Sequence, residues 1–303
     1  MQLSDSAVVA VIINAAAGTG YKADWAEQLT GKFAGHGMQA RVTMAKTGSE
    51  VLAAADAALA AGIRIIVAGG GDGTLNAVAG KLIGHDVAFG ILPLGTLNHF
   101  ARDLHIPLEL DDAVRTIAGT HRRKVDVAEV NGRIFLNNSS LGLYPDIVRH
   151  RELQQRRLGR GKWRAFFWAL VAAVRRYPFL NVTVLVEGVE HKRRTPFVFV
   201  GNNVYQMEGF HIGERTALDG GRLSVYATNR TGRSGLLMLM LRALVGRLRQ
   251  ARDFDVMTVT ELLIETHHKR LRVSTDGEVN LLATPLRYRI RPAALTVIAA
   301  PSP

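Results

Sequence analysis

The chain has 303 residues, of which 48% are hydrophobic, with no cysteine and a formal net charge of +12. The absence of cysteine excludes disulfides, thiolate catalysis and cysteine-ligated zinc or iron–sulfur centres, and the length suggests two domains or one large one. The basic balance attracts anionic lipid, anionic small molecules or nucleic acid, and by itself does not choose among them.

The first apolar stretch, 7–13, follows no basic segment and stops at Asn14. It reads as a strand and not as a signal peptide. No apolar run reaches the roughly 18 residues of a membrane span, so the protein is expected to be cytoplasmic, either soluble or peripheral to a membrane. Strand patterns at 8–13, 39–44, 63–68 and 87–92 alternate with helical patterns at 23–34, 49–61, 74–82 and 110–118. That alternation predicts βαβ units and a parallel sheet, whose ligands bind at the carboxyl ends of the strands. Three loops occupy that edge: Asn14 to Gly18, Gly69 to Asn76, and Pro93 to Asn98.

The middle loop reads Gly69-Gly70-Gly71-Asp72-Gly73-Thr74-Leu75-Asn76. Three glycines at a strand end let the backbone approach a ligand closely and take positive φ. Bare N–H groups beside a helix N-terminus suit a phosphate. A carboxylate at Asp72 would repel that phosphate, unless a cation lies between them or Asp72 orients the loop through hydrogen bonds. The pattern therefore points to a nucleotide-using enzyme. In the next loop, Thr96 is placed to cap a helix and to touch a phosphate.

Beyond residue 128 short strands dominate, at 125–130, 134–138, 181–187, 196–202, 222–227, 256–265, 269–274 and 287–291, with a last strand at 295–299. Turn signals at Asn131-Gly132 and Asp276-Gly277 predict antiparallel hairpins. Two helices are expected within this half, at 161–176 and 236–249. The Asp276-Gly277-Glu278 turn carries two carboxylates, which is equally the composition of a solvated hairpin.

Taken together, Gly70 to Asn76, Pro93 to Asn98, Lys124-Val125-Asp126-Val127 and Asp276 to Glu278 resemble, in order and spacing, the diacylglycerol kinase catalytic superfamily, specifically its soluble bacterial lipid kinases. That superfamily includes sphingosine and ceramide kinases and shares its first-domain fold with NAD kinases and phosphofructokinases. The resemblance implies an α/β plus β fold. Residues 1–128, joined by 292–303, would be a Rossmann-like nucleotide-binding domain, and 129–291 an antiparallel, sandwich-like lipid-acceptor domain. It implies an ATP-dependent lipid kinase of phospholipid metabolism that phosphorylates a diacylglycerol-like hydroxyl in the interdomain cleft. Asn14, Gly18, Thr43, Gly70, Gly71, Asp72, Gly73, Thr74, Leu75, Asn76 and Thr96 would bind ATP. Glu278 would be the general base, with Asp276 beside it and Asp72 in the catalytic set. Asp72 and Asp126 would organise water and Mg²⁺. Phosphoryl transfer needs positioning, metal neutralisation and a proton acceptor, and these residue types supply all three.

Two positions depart from the family pattern. His99 stands where an aspartate is common, which removes one carboxylate from the acidic network. In the turn Leu218-Asp219-Gly220-Gly221, the aspartate that ligates a structural magnesium in some relatives aligns with Gly220, leaving Asp219 as the nearest substitute.

Trp163, Phe166, Phe167, Leu170, Val171 and Val174 fall at helical spacing, and nine basic residues lie between Arg149 and Arg176. This helix either packs on the β-rich half or docks on an anionic membrane surface. The expected partners are ATP, a membrane lipid acceptor and that surface, without nucleic acid; a homodimer is compatible. The rivals are a kinase of a soluble acceptor such as NAD, and a non-catalytic nucleotide-responsive module on membranes or nucleic acid.

Overall fold

A computed structural model describes residues 7–16, 24–142, 179–186, 188–208, 211–215, 217–228 and 254–300. The chain divides into two compact units, residues 1–127 with 292–303, and residues 128–291.

The first unit runs β1 (Ala7–Asn14), α1 (Trp25–Ala34), β2 (Met38–Ala45), α2 (Gly48–Ala60), β3 (Ile65–Gly70), α3 (Asp72–Leu82), β4 (Ala88–Pro93), α4 (His99–Asp103), α5 (Leu110–Ala118) and then β5 (Arg122–Val130). Its strands are parallel in the order β2-β1-β3-β4. Val9 to Ile13, Ile65 to Ala68 and Ala88 to Leu92 are buried without interruption. Parallel strands covered on both faces read as such continuous apolar runs. Each fully buried valine, leucine or isoleucine there contributes on the order of 1.5–3 kcal/mol of transfer free energy. Helix α2 starts where the sequence supplies a cap: Thr47 Oγ1 accepts from the Glu50 N–H at 3.2 Å, and Glu50 accepts from the Lys46 N–H at 2.7 Å. Ala113, Val114 and Ile117 form the buried stripe of α5, opposite Asp111 and Asp112 in its first turn.

The second unit continues with β6 (Arg133–Phe135), β7 (Asn138–Gly142), β8 (Leu180–Val186), β9 (Val189–Thr195), β10 (Phe197–Asn202), β11 (Tyr205–Glu208), β12 (His211–Arg215), β13 (Leu223–Thr228), β14 (Phe254–Val259), β15 (Glu261–Thr266), β16 (Arg270–Thr275), β17 (Glu278–Ala283) and β18 (Leu286–Ile298). One antiparallel sheet has the order β14-β13-β10-β7-β16-β17. The early part of β18 pairs with β15, which pairs with β8, which pairs with β9, all antiparallel. Leu141, Val198, Val200, Val225 and Val273 of the first sheet share one core with Val182, Val184, Ile264, Leu286 and Tyr288 of the second. This is the packing of a β-sandwich. Both hairpin signals are realised with positive φ at both turn residues, Asn131 (47°) with Gly132 (80°) and Asp276 (48°) with Gly277 (85°). That is the type I′ requirement.

Several elements differ from the sequence reading. The expected strand 63–68 is displaced to 65–70, so Gly69 and Gly70 lie in the sheet and Gly71 alone caps α3. The expected strand 256–265 is two strands in different sheets, breaking at Thr260, and the runs 287–291 and 295–299 are one long β18. In β18, Thr296 and Val297 lie parallel to Ala88 and Phe89 of β4. The helices expected at 161–176 and 236–249 fall outside the described residues.

Candidate active site

Two loops at the carboxyl edge of the parallel sheet meet backbone to backbone. A Cβ added at Gly95 would overlap the Cα of Gly71 and lie 2.8 Å from Asn98 Oδ1. A Cβ at Gly70 would lie 2.8 Å from the Thr74 side chain, and one at Gly69 would lie 2.5 Å from Ile13 Cδ1. None of Gly69, Gly70 or Gly71 has positive φ. The expectation of left-handed backbone here is corrected: these glycines serve close approach.

Gly71 is extended (φ −85°, ψ 177°) and no side chain caps α3 among the described residues. The first N–H groups of a helix have no intrahelical partner, so this end offers donors backed by the helix dipole. Asn14, at the end of β1, donates from Nδ2 to Thr74 Oγ1 at 2.9 Å, while its Oδ1 accepts from the Ala16 N–H at 3.1 Å. The second bond fixes the amide orientation. The first occupies a lone pair of the Thr74 hydroxyl and leaves its proton free to donate.

Asp72 joins the two loops. Its Oδ2 accepts from the His99 N–H at 3.2 Å and its Oδ1 from the Phe100 N–H at 3.1 Å. Those are orphan donors of α4, so Asp72 serves as that helix's N-terminal acceptor from a distant segment. Thr96 does not cap the helix as expected. The cap position is Asn98, at φ 52°, whose side chain accepts from the Gly95 N–H at 2.9 Å and donates to the carbonyls of Pro93 and Gly95 at 3.1 and 2.9 Å. Asparagine tolerates left-handed backbone, which explains why it and not threonine sits there.

In the second unit, Asp276 turns its carboxylate onto the segment joining β6 to β7. Oδ2 accepts from the Leu136 N–H at 2.7 Å, and Oδ1 from the Asn137 and Asn138 N–H groups at 2.8 and 3.0 Å. The residue is partly exposed but its carboxyl group is enclosed. Burial pushes Asp276 up to about 6, against the downward pull of the three N–H donors and of the Arg215 guanidinium. Two residues on, Glu278 opens β17; it is exposed, and its carboxylate makes no hydrogen bond or ion pair among the described residues.

Residues 8–130 match the family model described as the diacylglycerol kinase catalytic domain, and residues 146–299 match the YegS C-terminal NAD kinase beta sandwich-like domain, which alone covers just over half of the 303 residues. The chain belongs to the diacylglycerol kinase catalytic family of the YegS type. It is 49% identical over 87 residues to the Pseudomonas aeruginosa protein named "Probable lipid kinase YegS-like", covering 28% of each chain. It is 41% identical over 90 residues to a protein named diacylglycerol kinase from Staphylococcus haemolyticus, covering 29% of this chain and 27% of that one. These stretches span less than a third of either relative's length. A crystal structure of a diacylglycerol kinase from Bacillus anthracis shares the fold, with a TM-score of 0.71, 21% identity and coverage of 98% of each chain.

In this YegS-type protein the remaining predicted residues take varied positions. Gly73 lies in the first turn of α3, the Leu75 side chain is fully buried in the core, and Asn76 is half-buried beside it. Thr43, on edge strand β2, and Thr96 are both exposed. Asp126 is buried in β5, where its Oδ1 accepts from the Ala293 N–H at 2.8 Å; Ala293 itself has φ 51°. Asp219 is exposed, in a turn held by a 2.9 Å bond from the Gly220 N–H to Asn203 Oδ1. Among the described residues no three His, Asp or Glu side chains group as a metal site. Gly18 and the basic segment 149–176 lie outside the described residues.

Sequence reasoning missed Asn98, Arg215, Asn137 and Asn202. Asn98 had a local signal, an asparagine directly before a helical pattern. The other three had none, because, apart from the Arg215–Asn202 contact 13 residues apart, their partners lie 66 to 79 residues away in sequence.

Proposed function

We propose that this chain is an ATP-dependent lipid kinase that transfers the γ-phosphate to the hydroxyl of a diacylglycerol-like lipid. The observation that carries the reading is the β3–α3 corner. There Gly71 packs on Gly95, the α3 N-terminus carries no side-chain cap among the described residues, and the Asn14–Thr74 pair borders it. This is a donor-rich, close-approach surface fitted to a polyphosphate. Family membership supports the choice of phosphoryl transfer to lipid over other nucleotide chemistry.

In this reading residues 1–128 with 292–303 bind the nucleotide and 129–291 bind the acceptor. The N–H groups at Gly71 to Gly73, the Thr74 hydroxyl and the Asn14 amide hold phosphate oxygens, with Thr43, Thr96, Gly18 and Asn76 completing the nucleotide site. ATP supplies the phosphoryl group. Mg²⁺ enters with the triphosphate, since it keeps several waters and takes one or two carboxylates plus phosphate oxygens. Asp72 is suited to that task because each of its oxygens retains a second lone pair beyond its bond to α4, and Asp126 is assigned to the same water network. Glu278 is solvent-accessible and unpaired among the described residues, as a group must be to accept the proton of an incoming hydroxyl. The net charge of +12 supports peripheral contact with an anionic bilayer, where such an acceptor resides. No described helix is long and apolar enough to cross a membrane.

The test is transfer of labelled γ-phosphate from Mg²⁺-ATP into a total lipid extract in mixed micelles, comparing the native protein with Glu278→Gln. A labelled lipid made by the native protein alone supports the reaction and the base. Absence of label from both, with ATP binding intact, rejects the lipid kinase reading.

A further inference from the structure

The Asp276 turn grips the 136–138 segment by its N–H groups, and a second set of bonds grips the same segment from its carbonyl side. Arg215 donates from Nη1 to the Leu136 carbonyl at 2.7 Å and to the Asn202 carbonyl at 3.2 Å, and from Nη2 to Asn137 Oδ1 at 2.8 Å. Asn202 adds Nδ2 to the Leu136 carbonyl at 2.8 Å, and its N–H to the Asn137 carbonyl at 2.9 Å. Asn137 and Asn202 are 3% and 1% exposed. The guanidinium lies 5.4 Å from the centroid of the Tyr205 ring, which fixes its plane. On the opposite side of the segment, the Asp276 N–H donates back to the Asn138 carbonyl at 2.9 Å. The two hairpin residues Asp276 and Gly277 therefore do not float at a sheet end. They are tied to a peptide segment whose other polar groups are held by Arg215 and Asn202.

We infer that Arg215 is a positioning residue for the Asp276–Gly277–Glu278 turn, acting through the 136–138 segment. It orients the peptide planes whose N–H groups Asp276 accepts, and so sets where Glu278 leaves the turn. Only the role of Glu278 as base rests on the function proposed above; the clamp itself stands on the bonds described. A guanidinium presents its donors as a rigid planar fork, whereas a lysine at this position keeps the charge and cannot make the two-pronged contact.

The test uses the full chain with Arg215→Lys and, as a milder lesion, Asn137→Ala. Amide hydrogen exchange is read at Leu136, Asn137, Asn138 and Asp276, with the α3 amides as internal reference. In Arg215→Lys, exchange at these four is expected to quicken tenfold or more while α3 is unchanged. The kcat for lipid phosphorylation falls tenfold or more, with KM for ATP within twofold. Asn137→Ala gives a smaller change of the same pattern. Unchanged exchange in Arg215→Lys overturns the inference, as does a kcat within twofold of the native value when exchange has quickened. If the native protein transfers no phosphate, the proposed function fails, and exchange alone decides the clamp by the same criterion.

Discussion

Asp72 and Asp276 both precede a glycine, and both turn their carboxylates onto backbone N–H groups of a distant segment. Asp72 takes the His99 and Phe100 N–H groups at the start of α4, and Asp276 takes those of Leu136, Asn137 and Asn138. Their settings differ. Asp72 stands at a half-buried corner beside uncapped helical donors, with lone pairs left for other partners. Asp276 is enclosed and holds three N–H donors, so three of its roughly four acceptor sites are filled and burial bars access to the last. The same residue type therefore has different chemical freedom. In the proposed reading Asp72 joins a cation and a phosphate, whereas Asp276 is a fastening. In the proposed reading the proton-accepting task falls to Glu278, whose carboxylate is unencumbered among the described residues.

The sharpest break of this comparison is Glu278→Gln. A positioned general base contributes about 10²- to 10⁴-fold, so transfer should fall by at least ~10²-fold while ATP affinity stays within about twofold. Asp276→Asn should instead lose stability along with activity. If Glu278→Gln keeps native turnover in the labelled-phosphate assay, the division of labour between the two acidic residues is wrong. Next in size is Gly95→Ala, which forces the two glycine loops apart. The expected cost is about 1–3 kcal/mol in urea denaturation, with ATP affinity down about tenfold or more. Gly31→Ala, in α1 with nothing within 4 Å of the added methyl, is the control and should be neutral or slightly stabilising.

The first unit was largely legible because its information is local. Buried parallel strands announce themselves as apolar runs, and the corner between β3 and α3 is written in consecutive glycines. In the second unit the sequence marked the turns with positive φ at Asn131-Gly132 and Asp276-Gly277 and the apolar strands β8, β10, β13 and β16, but not how they pair. β9 went unread because Val189 to Thr195 is mostly exposed and charged, with Glu190, Lys192, Arg193 and Arg194. The switch of sheets at Thr260 leaves no mark in composition. Of the site, the sequence admits Asp72 either as partner of a cation or as a loop-orienting acceptor, and the bonds to α4 are of the second kind. Arg215 was unreadable: its value lies in contacts to residues 136, 137 and 202, which no spacing rule links.

Asp276→Asn tests the enclosed member of the pair. Asparagine offers one acceptor oxygen and turns an N–H₂ toward donors, so at pH 7 the loss should be about 1–3 kcal/mol. The native aspartate also predicts a pH signature. Burial raises it from 3.8 to about 6, so the folded state binds its proton more tightly than the unfolded chain. Its contribution is therefore fully present below about pH 4 and is lost as pH rises through about 6. Between about pH 4 and 7 the urea midpoint of the native protein should fall more steeply than that of Asp276→Asn, so that the gap between them narrows toward neutrality. Parallel curves would assign the titration to another group.

Asp72→Asn probes the freer member and should have the smallest effect on folding. Asparagine keeps one oxygen for α4, and a lost helix-terminal acceptor costs about 0.5–2 kcal/mol. The informative readout is the Mg²⁺ concentration that gives half-maximal transfer. If Asp72 contributes charge to the cation that accompanies ATP, that concentration should rise several-fold in Asp72→Asn while the unfolding midpoint moves little. If the midpoint moves and the Mg²⁺ dependence does not, Asp72 is a fastening like Asp276, and the contrast between the two aspartates collapses to one of burial alone. The cation would then be held by phosphate and water oxygens with help from elsewhere. Asp126 is the less accessible source, because its side chain is buried in a strand of the sheet and is restricted there to contact through water. That difference in burial makes Asp72 the residue on which the proposed metal assignment turns.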